Sequence, residues 1–352
     1  MKKTILSIAL NAPIKNLFDY SLESNSAITP KPGQRVRVPF GKQEKVGFIS
    51  KVSDATTVAS NKIRPIINIL DEKPILDSEL LKLIAWTSKY YYHPIGEVFA
   101  AAVPLYLRQS KYPKLAEQDS ASEPLTLETR KKLTKEQHQS FKDISDAMIK
   151  KEPIVLNGIT GSGKTELYMQ VIERKLKKKE QALVLVPEIG LTPQLLGEFR
   201  SRFGNTIAVI HSENTPKENA VNWVKAKKGL SKIIIGTRSS IFTPFQSLGL
   251  IIVDEEHDAS YKQQSGLRYS ARDLSLVRAA NNHISVILGS ATPSFETLMN
   301  VEKKKYQQTV LKKRVLSSSL PSTQMIDLRV HPQERGLTKI LINTIRKQLD
   351  NK

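Results

Sequence analysis

The sequence has 352 residues, 39% of them hydrophobic, and no cysteine, which excludes disulfides and cysteine-ligated metal sites. This length predicts about two or three domains, and no apolar stretch approaches the roughly 18 residues that a membrane helix needs, so we expect a cytoplasmic protein without a membrane partner. The net charge of +20, from 54 basic and 34 acidic residues, favours a polyanionic partner such as nucleic acid, although a lysine-rich solvated surface would give the same balance.

Residues 1–106 are predicted to form a small β-rich domain. Residues 34–40 alternate between polar and apolar side chains, as a half-buried strand does, and residues 46–52 favour a second strand. Residues 78–92 are typical of an amphipathic helix with Ser78 as its N-cap. Short strands with interleaved basic residues would suit a nucleic-acid-binding barrel, and no catalytic residue is predicted here.

Residues 107–132 mix charges, prolines and small residues without periodicity, which predicts a linker. From residue 133 onward strands and helices alternate, which predicts a doubly wound α/β domain with a parallel sheet. The predicted helices are 135–149, 166–178, 193–203, 217–228, 271–280 and 294–301. The predicted strands are 154–157, 182–187, 206–210, 232–236, 248–253 and 284–288.

A glycine-rich turn joins strand 154–157 to the helix that follows it. Residues 158–165 carry the pattern G-x-x-x-x-G-K-T, which in this context is typical of a phosphate-binding loop. Glycines let the backbone approach a phosphate, and the helix N-terminus adds a partial positive charge. We expect Lys164 to reach the β- and γ-phosphates and Thr165 to hold Mg²⁺. The predicted ATP-binding residues of this loop are Gly158, Ile159, Thr160, Gly161, Ser162, Gly163, Lys164 and Thr165.

An acidic sequence, Asp254-Glu255-Glu256-His257, follows the apolar strand 248–253. A carboxylate at the tip of a buried strand is where a P-loop protein holds Mg²⁺, so Asp254 is the predicted metal ligand. Glu255 is placed to polarise the attacking water, which makes Lys164, Asp254 and Glu255 the predicted catalytic residues. Ser290-Ala291-Thr292 follows the next apolar strand, and its hydroxyls could sense the carboxylates through hydrogen bonds.

In this order, the three elements resemble motifs I, II and III of superfamily 2 helicases, with Asp254–His257 as a DEAH box. Other segments resemble the PriA family of bacterial replication restart helicases, and together they span nearly the whole chain. These segments are 17–20, 35–41, 91–97, 186–194, 235–239 and 254–273. The resemblance implies a RecA-like doubly wound P-loop domain (133–316) preceded by a small β-rich DNA-binding domain.

The resemblance also implies binding roles for residues outside these motifs. Gln137 would contact adenine, although the same residues would also suit a helix start with Thr134 as N-cap. Thr237 and Arg238 would contact the DNA backbone. Tyr261, Arg268 and Tyr269 would couple contact with single-stranded DNA to ATP hydrolysis. The residues that would surround a nascent 3′ end are Phe18, Asp19, Gly41 and Arg64. Arg64 stands where the family usually has lysine. The alternatives are a surface salt bridge for Arg238 and a mobile surface loop for Tyr261, Arg268 and Tyr269.

The function implied is ATP- and Mg²⁺-dependent 3′–5′ DNA unwinding in replication restart and primosome assembly. Its partners would be forks, single strands, nascent 3′ ends, primosome proteins and single-strand-binding protein, at the nucleoid in the cytoplasm. The family's winged-helix domain has no counterpart in 107–132, and 317–352 resembles only the lead-in to a second helicase lobe. Zinc is expected for the family, but its cysteines are absent here.

From these departures we expect that the 352 residues alone bind DNA, hydrolyse ATP poorly and do not unwind. A second hypothesis is a non-catalytic adaptor that binds forks and 3′ ends and recruits primosome proteins. A third, an unrelated P-loop kinase, is disfavoured by the motifs at 254–257 and 290–292.

Overall fold

The computed structural model describes residues 4–23, 27–115, 130–315 and 323–350. Much of the predicted linker 107–132 and the start of the predicted segment 317–352 therefore lie outside the described residues. The chain divides into two compact units, Met1–Val315 and Leu316–Lys352.

The first unit begins with an antiparallel five-stranded sheet in the order β2-β1-β4-β3-β5. Its strands are β1 (Thr4–Ala9), β2 (Phe18–Leu22), β3 (Arg35–Phe40), β4 (Gln43–Ser53) and β5 (Asn68–Ile69). At one edge, the N–H of Ser21 donates to the carbonyl of Arg64 at 3.0 Å, and the N–H of Ile66 donates to the carbonyl of Ser21 at 3.0 Å. Because residues 64–66 lead into the opposite edge strand, these bonds curl the sheet towards a barrel.

Two helices, α1 (Ser78–Tyr90) and α2 (Ile95–Ala102), follow this sheet. The predicted N-cap of α1 was wrong by one residue, because Ser78 already has helical geometry and Asp77 is the cap. The Asp77 side chain accepts a hydrogen bond from the N–H of Leu80 at 2.8 Å, as an N-cap does. The helix stops short of residue 92, where Tyr92 has a φ of +52°.

The second part of this unit is a parallel seven-stranded sheet in the order β12-β6-β11-β10-β7-β9-β8. Its strands are β6 (Ile154–Gly158), β7 (Gln181–Leu185), β8 (Ile207–Ile210), β9 (Ile233–Gly236), β10 (Leu248–Val253), β11 (Ser285–Ser290) and β12 (Gln307–Leu311). The predicted doubly wound fold is confirmed. The edge strand β12 was not predicted, because only Thr309 and Leu311 of its five residues are buried.

Helices cover both faces of this sheet. They are α3 (Lys135–Lys150), α4 (Lys164–Lys177), α5 (Pro193–Phe203), α6 (Pro216–Lys227), α7 (Ala271–Asn282) and α8 (Phe295–Glu302). Successive strand residues point to opposite faces, so Ile252 joins an apolar cluster with α3, α4 and α5, and Ile251 joins another with α6 and α7. The second cluster also contains Leu83 of α1 and Phe99 of α2, so the N-terminal helices share a core with the large sheet.

The second unit contains a short antiparallel pair, β13 (Gln333–Glu334) with β14 (Leu337–Thr338), and the helix α9 (Lys339–Asp350). Within the described ranges, no helix combines the length and the apolar character needed to cross a bilayer.

Candidate functional site

The glycine-rich loop between β6 and α4 has the backbone geometry of a phosphate-binding loop. Gly161 and Gly163 have φ values of +79° and +84°, which side chains other than glycine rarely adopt. A Cβ at Gly163 would lie 2.3 Å from the Nε2 atom of Gln137, so the loop has no room for one. After β12 the chain passes over this loop, and the N–H of Val315 donates to the carbonyl of Gly161 at 3.0 Å.

Lys164 opens α4 and is nearly buried, with 9% of its surface exposed. Its Nζ atom donates to the carbonyl of Gly158 at 2.9 Å and lies 3.4 Å from Oε1 of Glu255. Ser162 Oγ is buried and has no hydrogen-bond partner among the described residues. An anchored cation, an unpaired buried hydroxyl and the hydroxyl of Thr165 at the start of a helix together fit a nucleotide phosphate with Mg²⁺.

Gln137 connects the start of α3 to this loop. Its Oε1 atom accepts from the N–H of Thr134 at 2.9 Å, which completes a capping box, and its Nε2 atom donates to the carbonyl of Ser162 at 2.9 Å. The helix start with Thr134 as N-cap is therefore confirmed. The adenine contact stays a prediction, since the amide of Gln137 is buried and already bonded to protein at both ends.

Asp254 follows the carboxyl end of β10. Its Oδ1 atom accepts from the hydroxyl of Tyr168 at 2.9 Å. Burial raises the pKa of the Asp254 carboxyl, and the neighbouring Glu255 charge raises it further. The hydrogen bond from Tyr168 and the charge of Lys164 act the other way. The Tyr168 hydroxyl thus holds one oxygen of the Asp254 side chain.

Glu255 and Glu256 have different environments although they are neighbours. Glu255 is partly exposed, with its carboxylate near Lys164 and 3.7 Å from Nδ1 of His257. Glu256 is 1% exposed, and its carboxylate accepts from the N–H of Ser294 at 2.7 Å and from the hydroxyl of Thr297 at 2.9 Å. Glu256 therefore stabilises the start of α8, whereas the carboxylate of Glu255 is accessible to solvent.

The end of β10 is joined to the end of β11 by His257. Its Nδ1 atom lies 2.8 Å from Oγ of Ser290, and Ser290 Oγ also accepts from the N–H of Thr292 at 2.9 Å. The acidic sequence and the Ser-Ala-Thr sequence are thus linked through the imidazole of His257, and direct sensing of the carboxylates by the hydroxyls stays a prediction. The loop 158–165, residues 254–257 and Ser290 are brought together at the carboxyl edge of the sheet.

The residues predicted to couple DNA contact to hydrolysis divide into buried and exposed ones. Tyr261 is 2% exposed, and its hydroxyl lies 2.6 Å from the carbonyl oxygen of Asp254. Tyr269 is 4% exposed and packs edge-on against Phe242. The alternative of a mobile surface loop is therefore wrong for these two tyrosines, and a DNA contact by either stays a prediction. Arg268, between them in sequence, is exposed.

Arg238 is attached to the same loop. Its Nη1 atom donates to the carbonyl of Ser260 at 2.7 Å, and among the described residues no carboxylate pairs with it, so the alternative of a surface salt bridge finds no support there. Thr237 is 6% exposed and starts the 3₁₀ turn Arg238–Phe242. Contact of Thr237 and Arg238 with the DNA backbone stays a prediction.

Contacts connect three of the four residues predicted to surround a 3′ end, Phe18, Gly41 and Arg64, whereas Asp19 follows Phe18 in the same strand and points to the opposite face. Phe18 packs edge-on against Phe40 at 5.3 Å, and Gly41, the next residue, has a φ of +62° and open space where a Cβ would lie. Arg64 Nη1 lies 3.4 Å from the carbonyl oxygen of Gly41. Asp19, beside Phe18, accepts from the hydroxyls of Ser7 at 2.7 Å and Thr56 at 2.6 Å.

The sequence motifs did not indicate Tyr168 or Gly289. Tyr168 lies one helical turn after Lys164, so it faces the same side of α4. Its four-residue spacing from the lysine was a signal that could have been used. Gly289 precedes Ser290 in β11, and only the structure shows why that position lacks a side chain.

Two family profiles match the chain. Residues 7–104 match the 3′ DNA-binding domain (3′BD) of PriA, and residues 130–301 match the DEAD/DEAH box helicase domain. Among solved structures, RecG bound to a three-way DNA junction has a TM-score of 0.40 at 20% identity, over 68% of this chain and 30% of that one. The Pyrococcus furiosus Hef helicase domain has a TM-score of 0.38 at 21% identity, over 50% and 37%. Both scores are low, so neither likeness bears on function.

Curated proteins described as replication restart protein PriA are similar to nearly the whole chain. The Haemophilus influenzae protein is 34% identical over 417 residues, which cover 98% of this chain and 57% of that protein. The Rickettsia conorii protein is 33% identical, over 99% of this chain and 52% of that protein. The chain spans about half the length of these relatives. With a PriA 3′ DNA-binding domain followed by a DEAD/DEAH box helicase domain, the chain belongs to the PriA family of replication restart proteins.

Proposed function

We propose that the chain binds ATP with Mg²⁺ at the carboxyl edge of its parallel sheet and uses it in the 3′–5′ unwinding of DNA during replication restart. The observation that carries this proposal is the approach of Lys164 to Glu255, with 3.4 Å between Nζ and Oε1. A P-loop lysine and a partly exposed carboxylate at the end of another strand of the same sheet are the parts that phosphoryl transfer to water requires.

Each side chain has a distinct task in this proposal. Bound ATP supplies the phosphoryl group, and Mg²⁺ neutralises charge on its oxygens. Lys164 holds the phosphates, the hydroxyl of Thr165 and the carboxylate of Asp254 hold the metal, and Glu255 takes a proton from the attacking water. The contact between Ser290 and His257 would transmit movements of the acidic sequence to the end of β11.

The DNA partners follow from the N-terminal domain and the charge of the chain. We propose that nascent 3′ ends bind between Phe18, Asp19, Gly41 and Arg64, and that forks and single strands bind along the basic surface. Primosome proteins and single-strand-binding protein are proposed partners at the nucleoid in the cytoplasm.

Equilibrium binding of a fluorescent ATP analogue in the presence of Mg²⁺ tests the nucleotide site. We expect Lys164→Ala to weaken binding at least about tenfold, because a hydrogen-bonded charge contact to phosphate contributes roughly 1.5–3 kcal/mol. Lys177→Ala, an exposed lysine at the other end of α4, is the matched control and should bind like the unaltered chain. Equal affinity of the two variants would contradict the proposed site.

The adaptor hypothesis remains a second candidate, supported by the contacts that connect Phe18 and Arg64 to the turn at Phe40 and Gly41. It predicts tighter binding to forks with a free 3′-OH than to forks with a blocked one, with Asp19→Asn reducing the difference. Salt must be matched, since it controls the nonspecific part of the affinity. Equal affinity for both forks would count against it.

A further inference from the structure

We infer that Tyr168 is a positioning residue for Asp254, and that Gly289 exists as glycine to admit the Tyr168 hydroxyl beside that carboxylate. The inference rests on the proposed binding of ATP with Mg²⁺ and adds a function for two residues outside the motifs. It concerns how the metal-holding carboxylate is oriented before nucleotide arrives.

Tyr168 contacts Asp254 inside the protein, at the carboxyl edge of the parallel sheet. Its side chain is 2% exposed, and its hydroxyl donates to Oδ1 of Asp254 at 2.9 Å. Because α4 also begins with Lys164, one helix supplies both the phosphate contact and the contact that orients the carboxylate. The two contacts are therefore fixed relative to each other by a single helical turn.

Gly289 lies on the other side of this hydroxyl. A Cβ at Gly289 would lie 1.6 Å from the Tyr168 hydroxyl oxygen, 2.8 Å from its Cζ and 3.3 Å from Oδ1 of Asp254. No real contact is that short, so any side chain at this position would displace the phenol. The absence of a side chain here is what lets the hydrogen bond form.

The same aspartate is also fixed through its backbone. Its N–H donates to the carbonyl of Leu185 at 2.9 Å, and its own carbonyl oxygen lies 2.6 Å from the Tyr261 hydroxyl. With the backbone held in this way, the remaining freedom is rotation of the carboxylate, and the Tyr168 hydroxyl restricts that rotation. Groups that orient a metal ligand in this way typically change metal affinity by about 10–100-fold when removed.

A core role alone would make a different prediction for Tyr168. A buried tyrosine hydroxyl usually finds a partner simply to avoid the cost of desolvation. If that were its whole role, removing the hydroxyl would change stability and leave the metal requirement of nucleotide binding unchanged.

The experiment is a Mg²⁺ titration of fluorescent ATP-analogue binding by the full chain. We expect Tyr168→Phe to raise the Mg²⁺ midpoint about tenfold and to leave the affinity measured in EDTA unchanged. Tyr20→Phe is the matched control, because its buried hydroxyl also donates a 2.9 Å hydrogen bond, to the carbonyl of Pro39 in the N-terminal sheet. It should leave the midpoint unchanged.

A double-mutant cycle with Asp254→Asn shows whether Tyr168 acts through Asp254. Adding Tyr168→Phe to Asp254→Asn should shift the midpoint no further. Gly289→Ala, which displaces the phenol from the other side, should raise the midpoint as Tyr168→Phe does. An unchanged midpoint in both Tyr168→Phe and Gly289→Ala, with Mg²⁺-dependent binding by the unaltered chain, would overturn this inference alone. Mg²⁺-independent binding by the unaltered chain would overturn the proposed function and this inference with it.

Discussion

At Glu255 the backbone has a φ of +45°, a left-handed conformation that costs a residue with a Cβ about 1–2 kcal/mol. Neighbouring bonds impose it: the N–H of Glu256 donates to the carbonyl of Gly289, and the N–H of Asp258 donates to the carbonyl of Glu255. This turn aims the Glu255 carboxylate at Lys164, as expected where strain is stored at a functional site.

The strain predicts that Glu255→Gly is more stable than Glu255→Ala by about 1 kcal/mol. Both variants lose the same carboxylate, so their difference in the free energy of unfolding reports the backbone alone. Urea denaturation monitored by circular dichroism measures it. Equal stabilities, or a more stable alanine variant, would show that φ at this position is not strained.

The positions of the candidate site residues could be predicted from the sequence where those residues belong to one short motif. The loop glycines, Lys164 and the acidic sequence lie where their spacing indicated. The different environments of Glu255 and Glu256 could not be predicted, because they depend on Ser294 and Thr297 thirty-eight or more positions away. The burial of Tyr261 and Tyr269 likewise results from packing of a loop against strand ends.

Between α4 and α5, a buried arginine holds two carboxylates. Arg202 is 2% exposed, and its guanidinium bonds Glu173 at 2.5 Å and Glu166 at 3.2 Å. Glu166 lies in the first turn of the phosphate-loop helix, so this cluster connects that turn to α5. Removing the arginine would leave two carboxylates buried with reduced compensation.

We therefore expect Arg202→Met to lower the free energy of unfolding by about 3–5 kcal/mol, the usual cost of breaking a buried ion pair from one side. Arg200→Met, two residues earlier on the same helix and exposed, is the control and should change it by less than about 0.5 kcal/mol. Chemical denaturation of both variants measures the difference. A loss in Arg202→Met no larger than that of the control would contradict the prediction.

The carboxyl group of Asp77, the N-cap of α1, predicts that the stability of the fold depends on pH. Burial raises the pKa of Asp77 above its ordinary value of 3.8, and Glu79 adds to this. The folded state thus binds the proton more tightly, so Asp77 lowers stability as pH rises from about 3.8 through its raised pKa. An asparagine at this position would keep the cap without the charge.

We therefore expect Asp77→Asn to raise the free energy of unfolding at pH 7, by less than about 1 kcal/mol because the carboxyl is partly solvated. The gain should shrink as the pH falls towards 4, where Asp77 itself becomes protonated. Urea titrations at several pH values compare the two chains. A gain that stays constant or grows in acid would show that the pKa is not raised.

Element boundaries could be predicted well where apolar periodicity is strong, as in β10 and α5, which match their predicted ranges. Strands β1, β2, β5 and β12 were missed. β5 is only two residues long, and β12 is a half-exposed edge strand. Both depend on pairing with distant strands, a tertiary effect that local composition does not carry.

Across the Met1–Val315 unit, the N-terminal helices and the large sheet are joined by a buried ion pair. Arg278 of α7 is fully buried and bonds both carboxylate oxygens of Glu79 in α1, at 2.6 and 2.8 Å, while its Nη1 atom donates to the carbonyl of Ile241. The apolar cluster around it includes residues of both parts. The two domains of this unit are therefore expected to unfold together.

Scanning calorimetry should show one transition for this unit. Arg278→Met should lower the free energy of unfolding of this unit by about 3–5 kcal/mol. Arg278→Lys keeps the charge but loses the planar guanidinium that bonds both carboxylate oxygens, so its free energy of unfolding should lie between those of Arg278→Met and the unaltered chain. Two well-separated transitions in the unaltered chain would mean that the domains unfold independently. An Arg278→Met chain as stable as Arg278→Lys would mean that the ion pair does not join them.

The hydrogen bond from Val315 to Gly161 ties the conformation of the phosphate loop to that of residue 315. Breaking this bond would release the carbonyl of Gly161 and leave the loop freer to move. By the reciprocity of coupled equilibria, a phosphate that ordered the loop would also favour the bound position of Val315.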